Sequence, residues 1–174
     1  ECYDRPDLEL PAHQKNLLRA VQAANPNTVL TVVSSYPYAL GEAKELLPAI
    51  LYTTHAGPEL GNAVADTLLG KNNPAARCPI TWYRSAQDLP DIMEYDIISA
   101  ERTYLYDTVE PLFPFGHGLS YSSFVYRDFT AEEKPEGMLF RLTVENTSQR
   151  DGDEVVQLYY RALHPRVKRP LRQL

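Results

Sequence analysis

The residues with the clearest chemical potential stand at the start of the chain, in the segment ECYDRPDLELP. Glu1 is a carboxylate that can donate or accept a proton, and Tyr3, Asp4 and Arg5 follow it closely. An Asp–Arg pair in a loop before Pro6 is typical of local hydrogen bonds and an ion pair that fix the backbone. Glu1 is therefore either a working carboxylate or only the point at which the chain begins, and its residue type alone leaves both interpretations open.

Charge and composition narrow the class of protein. A net charge of −6 with dispersed acids argues against nucleic-acid binding, which needs a basic face. No apolar run approaches the ~18 residues of a membrane span, so we expect no membrane partner. Cys2 and Cys78 lie far apart with no His or Cys at ligand spacing, so we expect no metal and no other cofactor. Two free thiols are favoured, and a single disulfide stays open.

The first two thirds of the sequence alternate between helical and strand patterns. Pro11 suits the first turn of a helix, and Gly70 suits the end of one. Strand and helix in alternation imply a parallel sheet with crossover helices, which is an α/β architecture. The predicted elements are a helix over 11–25, a strand over 28–35, a helix over 39–48, a strand over 49–55, a helix over 59–70 and a strand over 78–83.

The pattern changes near residue 84. Residues 84–122 are rich in Tyr, Asp, Pro and Gly without a sustained period, and loops of this length tend to be functional. From about Phe124 the pattern is all-β, with predicted strands over 123–129, 138–147 and 155–163. This spacing is typical of a β-sandwich, of which the sequence holds about 50 residues, roughly half a domain.

Four collinear stretches resemble the C-terminal part of glycoside hydrolase family 3, the family of many β-glucosidases and β-xylosidases. They are ECYDRPDLELPAHQKNLLRAVQAANPNTV, GNAVADTLLGKNNPAAR with PITWY, PLFPFGHGLSYSSFVY, and VENTSQRDGDEVVQLYY with RVKRPLRQL. The third stretch is close to a signature of that family. The resemblance covers essentially the whole chain, and we expect the chain to be truncated at both ends.

The resemblance implies a parent protein of three parts. An N-terminal (β/α)8-like barrel carries a catalytic Asp nucleophile, an α/β sandwich domain supplies a Glu acid/base, and a fibronectin-III-like domain follows. On this basis residues 1–103 are the C-terminal portion of the α/β sandwich domain. Residues 104–123 are a linker that contains PLFPFGHGLSY, and residues 124–174 are the N-terminal portion of the fibronectin-III-like domain. The barrel is the partner that this chain lacks.

The resemblance also implies roles for the first residues. A retaining glycosidase needs two carboxyl groups about 5–5.5 Å apart, a nucleophile and an acid/base. Glu1 matches the acid/base Glu by position, although Cys2 stands where many members have Gly. Tyr3, Asp4 and Arg5 are candidates for substrate binding, because a Tyr ring can stack on a sugar and charged groups can bond to vicinal diols. The alternative is that Tyr3 packs and that Asp4 and Arg5 fix the loop.

The implied activity is that of a retaining exo-β-glycosidase acting on β-glucosides, β-xylosides or oligosaccharides, with this chain inactive by itself. A non-catalytic carbohydrate-binding or assembly module stays open as an alternative, because fold does not fix function. So does a non-functional split gene product, since Pro58, Asp107 and Val109 depart from the family pattern. The compartment stays open, with the cytoplasm slightly favoured, because any signal peptide would lie upstream.

A small sheet beside half a sandwich exposes strand edges and apolar faces. We therefore expect the isolated chain to be marginally stable or to self-associate. Analytical ultracentrifugation and scanning calorimetry check this expectation, and a monomer that melts cooperatively would contradict it.

Overall fold

The structure is a computed structural model, and it describes residues 7–174. Contacts divide the chain into two units. Unit 1 holds the described residues up to Leu60 together with Cys78–His117 and Gln157–Leu174, and unit 2 holds Gly61–Arg77 and Gly118–Val156. The elements in chain order are helix α1 (Ala12–Ala24), strand β1 (Val29–Val33), helix α2 (Gly41–Leu46), strand β2 (Ala49–Thr53), helix α3 (Leu60–Leu68), a 3-10 turn (Ala86–Asp88), helix α4 (Thr103–Tyr106), strand β3 (Phe124–Lys134) and strand β4 (Gly137–Asn146).

The first helix confirms the prediction from apolar spacing. Pro11 caps α1 with φ −53°, close to the angle that its ring fixes, and Asn25 leaves the helix in an extended conformation. Asn25 precedes Pro26, and a residue before proline is pushed out of the helical region. Of the apolar side chains of α1, Leu18 packs against the core, whereas Leu17 and Val21 are exposed.

Unit 1 contains a parallel sheet of two strands, not three. β1 and β2 pair in register from Val29 opposite Ala49 to Val33 opposite Thr53, with α2 as the crossover. The predicted third strand over residues 78–83 is wrong. Its backbone bonds elsewhere, because the Cys78 amide donates to the His117 carbonyl (2.7 Å) and the Trp82 amide donates to the Phe113 carbonyl (2.8 Å).

The core of unit 1 lies around Trp82 and Leu112. Trp82 and Leu112 are each 1% exposed, and the Trp82 ring meets Tyr52 of β2 edge-on at 4.8 Å between centroids. The Lys44 ammonium donates to the Leu112 carbonyl (2.9 Å) and lies 4.9 Å from the centre of the Phe113 ring. The buried core members are Val32, Leu40, Ala43, Leu47, Trp82 and Leu112.

The segment PLFPFGHG has a structural role in unit 1. Phe113 stacks with His117 at 5.1 Å between ring centroids, and Phe115 stacks with Tyr104 at 4.5 Å. Gly116 has φ +82°, and a Cβ there would lie 2.1 Å from the Gln157 side-chain oxygen. Any other residue would therefore meet backbone strain, and the end of the Gln157 side chain would have to move.

The predicted strand over residues 155–163 is also wrong. In unit 1, its only ladder contact is an isolated antiparallel bridge between Tyr160 and Gln173. Gln157 uses its side chain instead, donating to the Gly116 carbonyl at 3.0 Å. A strand needs a neighbour to receive its backbone groups, and no other described strand pairs with this segment.

Unit 2 is built on the antiparallel hairpin of β3 and β4, which confirms both predicted strands. The pairing runs from Phe124 opposite Asn146 to Lys134 opposite Gly137. A bulge between Arg127 and Thr130 breaks the register, and Asp128 within it has φ +55°. Bulges of this kind bend a strand and increase its twist.

Two polar clusters join the segments of unit 2, and the second of them reaches β3 of the hairpin. The Asn73 side chain accepts from the Tyr121 amide (2.9 Å) and donates to the Asp151 carbonyl (2.7 Å). The Arg77 guanidinium pairs with Glu154 (2.6 Å), and both side chains are largely buried. Tyr126 of β3 donates its hydroxyl to the same Glu154 carboxylate (2.5 Å). Burial, and then the bond to Glu154, raise the pKa of Tyr126 to about 12.

We predict that Leu40→Ala lowers the free energy of unfolding of the chain by about 2–5 kcal/mol, because it removes buried methyl groups and leaves a cavity. Urea unfolding monitored by the fluorescence of Trp82 measures this change. The matched control is Leu163→Ala, at a side chain that is 72% exposed, for which we expect a change within about 0.5 kcal/mol. Equal effects of both substitutions would contradict the position of Leu40 in the core.

A second prediction concerns alkaline pH. The pKa of Tyr126 is higher in the folded chain than the ordinary value of about 10, so its stabilising effect is complete below about pH 10. That effect is lost as the pH rises through about 12. Tyr126→Phe should therefore flatten the decline in stability over this range, measured by urea unfolding with circular dichroism. Tyr160→Phe, at an exposed ring, is the control and should leave the decline unchanged.

Candidate functional site

The residues singled out by the sequence lie outside the described residues. Glu1 was predicted as acid/base, and Tyr3, Asp4 and Arg5 as substrate contacts, and these roles remain predictions. The described residues start at Asp7. What the structure does place is the segment that follows these residues and the edge of the sheet beside it.

The segment from Asp7 to Leu10 is bonded to the backbone at Ala39, in the connection between β1 and α2. Glu9 and Ala39 form a parallel bridge, and the Ala39 amide donates to the Leu8 carbonyl (2.8 Å). The Asp7 carboxylate accepts from the Glu9 amide (2.8 Å), and the Glu9 carboxylate pairs with Lys15 of α1 (2.6 Å). The first two contacts hold the segment against Ala39, in the connection between β1 and α2, and the other two hold it to itself and to α1.

The carboxyl ends of β1 and β2 bring polar side chains together. The ladder continues one step beyond β1, since the Ser34 amide donates to the Thr53 carbonyl (3.0 Å). One residue further on, the Ser35 hydroxyl lies 2.8 Å from Nδ1 of His55, which follows β2. In open α/β sheets, ligands bind outside the carboxyl ends of the strands. This edge is therefore the candidate functional site of the described residues.

A tight turn over residues 34–36 follows β1 at this edge of the sheet. Ser34 is buried, and its hydroxyl donates to the Tyr36 carbonyl (2.8 Å) and accepts from the Tyr36 amide (3.2 Å). Tyr36 is 46% exposed, and its ring lies 5.8 Å from that of Tyr38 at 52°. The edge thus combines a hydroxyl–imidazole pair with a half-exposed aromatic ring.

A second polar cluster lies elsewhere in unit 1. Tyr83, Asp88, Glu101 and Asp107 line a depression together with Ser99, Thr108 and apolar side chains. Burial is the main cause that raises the pKa of the Tyr83 hydroxyl, and the Asp107 carboxylate adds to it. One Asp107 oxygen accepts from the Val109 amide (2.8 Å). Asp88 accepts from the Ser85 amide, and Glu101 pairs with the Thr108 hydroxyl and the Lys168 ammonium. The acids of this cluster thus have local structural partners, so we assign it a structural role.

The contact between Ser35 and His55 was not predicted from the sequence. The two residues stand twenty positions apart, and only the register of β1 and β2 makes them neighbours. The available signal was that both predicted strands end in polar residues, SS at 34–35 and TTH at 53–55. Parallel strands bring their carboxyl ends to one edge, which would have predicted the contact.

Within residues 7–174, no group of three or more His, Cys, Asp or Glu side chains is placed to hold a metal ion. In the same part of the chain, no helix has the length and apolar character that a membrane-spanning segment requires. Cys78 carries a free, half-buried thiol, and burial raises the pKa of this thiol.

The parallel sheet with its carboxyl-edge site, together with an antiparallel hairpin, is the arrangement of an α/β domain joined to a β-rich segment. The family model that describes the glycosyl hydrolase family 3 C-terminal domain matches residues 1–121. The chain belongs to this family.

Relatives of known name agree with the family. "Probable beta-glucosidase J" of Aspergillus fumigatus is 38% identical over 100% of this chain and 22% of its own length. "Xylan 1,4-beta-xylosidase" of Xylanibacter ruminicola is 38% identical over 92% of this chain and 18% of its own length. The chain thus spans about a fifth of the length of these relatives.

Solved structures show the same fold. A β-glucosidase from Kluyveromyces marxianus matches with a TM-score of 0.83 and 33% identity, over 98% of this chain and 22% of that protein. A glycoside hydrolase family 3 β-glucosidase from Bifidobacterium adolescentis matches with a TM-score of 0.87 and 27% identity, over 98% and 27%.

Proposed function

We propose that this chain is the C-terminal portion of a retaining exo-β-glycosidase that hydrolyses β-glucosides or β-xylosides. The observation that carries the proposal is the family match together with relatives named as β-glucosidase and β-xylosidase at 38% identity. The parent enzyme also contains an N-terminal barrel that carries the Asp nucleophile. The chain needs no metal for this chemistry, because two carboxyl groups suffice.

We propose Glu1 as the acid/base of the parent enzyme. Such a group first protonates the leaving oxygen and then takes a proton from water. The support is its match to the family's acid/base position and its place in the sequence. Five residues separate it in sequence from Asp7, whose segment is bonded to the backbone at Ala39 after β1. Tyr3, Asp4 and Arg5 then contribute to sugar binding or to fixing this loop.

We further propose that residues 124–174 are the N-terminal portion of a fibronectin-III-like domain, preceded by a linker over 104–123 and by the α/β sandwich portion over 1–103. The long antiparallel hairpin of β3 and β4 supports the first of these assignments. The hairpin exposes large apolar side chains such as Phe129 and Phe140. These two rings stack at 6.1 Å between centroids. Further strands of the parent would cover them.

The first test compares the chain with its parent. We expect the parent to release aryl aglycones from β-glucosides or β-xylosides, and the 174-residue chain to show no turnover, because the nucleophile lies in the barrel. A chromogenic assay measures both proteins at equal concentration. Turnover by the chain that Glu1→Gln abolishes would overturn the assignment of the nucleophile to the barrel. A parent inactive on every β-glycoside would overturn the proposed function.

The second test uses Glu1→Gln in the parent. Loss of the acid should lower turnover of substrates with poor leaving groups by roughly 10²–10⁴-fold, since their departing oxygen needs a proton. Turnover of activated aryl glycosides should fall far less. Measuring kcat/KM across aglycones of graded acidity checks this, with Glu136→Gln as the control at an exposed carboxylate outside the proposed role. An equal loss on all substrates would move the acid/base to another residue.

A further inference from the structure

The charged residues of the chain are divided unevenly along the sequence. Residues 155–174 hold five of the 17 Lys and Arg residues and none of the 23 Asp and Glu residues. This segment therefore carries a net charge of +5, whereas residues 1–154, with 12 basic and 23 acidic residues, carry −11. A cationic segment in an otherwise acidic protein is typical of a contact surface for an anionic partner.

The backbone closes most of this segment into a loop within unit 1. The Tyr160 amide donates to the Gln173 carbonyl (3.0 Å), and the Gln173 amide donates back to the Tyr160 carbonyl (2.9 Å). We call residues 160–173 the basic loop. Near its end, the Leu171 amide donates to the Leu105 carbonyl (2.7 Å). The basic loop is thus tied both to itself and to the rest of unit 1, so its charged side chains extend from a backbone that is held in place.

Most cations of the basic loop are not used within the described part of the chain. The Lys168 ammonium lies 3.2 Å from the Glu101 carboxylate and donates to the Ile98 carbonyl (2.9 Å). The other four cations are all exposed, and none of them donates a hydrogen bond or joins an ion pair among residues 7–174. They are Arg161, Arg166, Arg169 and Arg172. Their guanidinium groups are therefore free to contact a ligand.

The guanidinium groups select the charge and the size of that ligand. Each presents a planar set of donors that fits a carboxylate or a phosphate in bidentate geometry, and each stays charged at every physiological pH. Four of them on one loop favour a polymer with repeated negative charges over a single small anion. The acidic remainder of the chain repels such a polymer. Because salt at 0.1 M screens charges over about 10 Å, the attraction is confined to the basic loop.

Three classes of polymer carry such charges, and two of them fit this chain less well. Nucleic acids call for a domain with a basic face, whereas the net charge here is −6. An anionic membrane surface calls for an amphipathic helix, and among the described residues the segment 155–174 contains no helix. An acidic polysaccharide is the third class. It agrees with the proposed function, because the proposed substrates are carbohydrates.

We propose that the basic loop binds a polysaccharide that carries uronic acid groups, with Arg161, Arg166, Arg169 and Arg172 as the partners of its carboxylates. The loop takes no part in the hydrolysis. It holds the parent enzyme on the polymer and so raises the effective concentration of the glycosidic bonds near it. The inference rests on the proposed function and adds to it a binding site made of residues other than those of the candidate functional site.

The test measures binding of the parent enzyme to glucuronoxylan by affinity electrophoresis. Arg166→Gln/Arg169→Gln, which removes two of the four free cations, should weaken binding by roughly tenfold. Raising the salt from about 50 to about 200 mM should weaken binding of the wild type by roughly tenfold or more, because each contact releases counterions. The ligand control is the same polymer with its carboxylates reduced to alcohols, which should not bind. Equal binding to the reduced polymer would overturn the inference.

A matched protein control separates the basic loop from net charge. Arg127→Gln/Arg141→Gln removes two exposed arginines of the hairpin and changes the net charge by the same amount. This variant should bind as the wild type does, and a loss as large as that of Arg166→Gln/Arg169→Gln would contradict a site on the loop. Circular dichroism melts identify a loop variant that has lost its fold, and in that case Arg161→Gln/Arg172→Gln decides.

Turnover separates this inference from the proposed function. The loop variants should keep the kcat/KM of the wild type on an aryl β-glycoside, which is small and uncharged. A parent enzyme that is inactive on every β-glycoside would overturn the proposed function. An active parent that does not bind glucuronoxylan, or that binds single-stranded DNA or phosphatidylserine vesicles more tightly, would overturn this inference alone.

Discussion

The architecture of unit 1 depends on one stretch of backbone pairing, that between residues 78–82 and residues 112–117. The Trp82 amide donates to the Phe113 carbonyl, and the Leu112 amide donates back to the Trp82 carbonyl, both at 2.8 Å. This exchange places Trp82 and Leu112 at the centre of the core, each 1% exposed. The Trp82 ring then supports Tyr52 of β2, and β2 leads to His55 at the candidate site. This backbone pairing thereby supports the strand that leads to one side chain of the site.

Local patterns predicted the elements better than their pairing. Apolar spacing and the prolines that flank it were enough for α1, and β-branched runs were enough for β1 and β2, because helix period and strand alternation are properties of a short segment. The run at 78–83 looks like a buried strand by the same criteria. Its partner, however, is a Pro- and Gly-rich segment thirty residues later. Composition gives no sign of such a partner, so the third parallel strand was predicted wrongly, as was the strand at 155–163.

The same difference between local and long-range information applies to the residues of the candidate sites. Glu1, Tyr3, Asp4 and Arg5 stand close together in sequence, and a resemblance was sufficient to single them out. Ser35 and His55 become neighbours only through the sheet, where Val33 and Thr53 end their strands in register. A residue pair of this kind can be inferred from sequence only after the direction of the strands is known. Strand direction follows from the crossover helix α2, because a connection of this length joins parallel strands.

The segment PLFPFGHG illustrates why a family signature need not be a catalytic motif. Its aromatic rings stack with His117 and Tyr104, and its Gly116 adopts φ +82° where a Cβ would strike Gln157. Its carbonyls and amides complete the backbone bonds of residues 78–82. Each of these demands restricts residue type through geometry, and none requires contact with a substrate. Among the described residues, polar side chains meet at an open edge of the sheet instead at the carboxyl ends of β1 and β2.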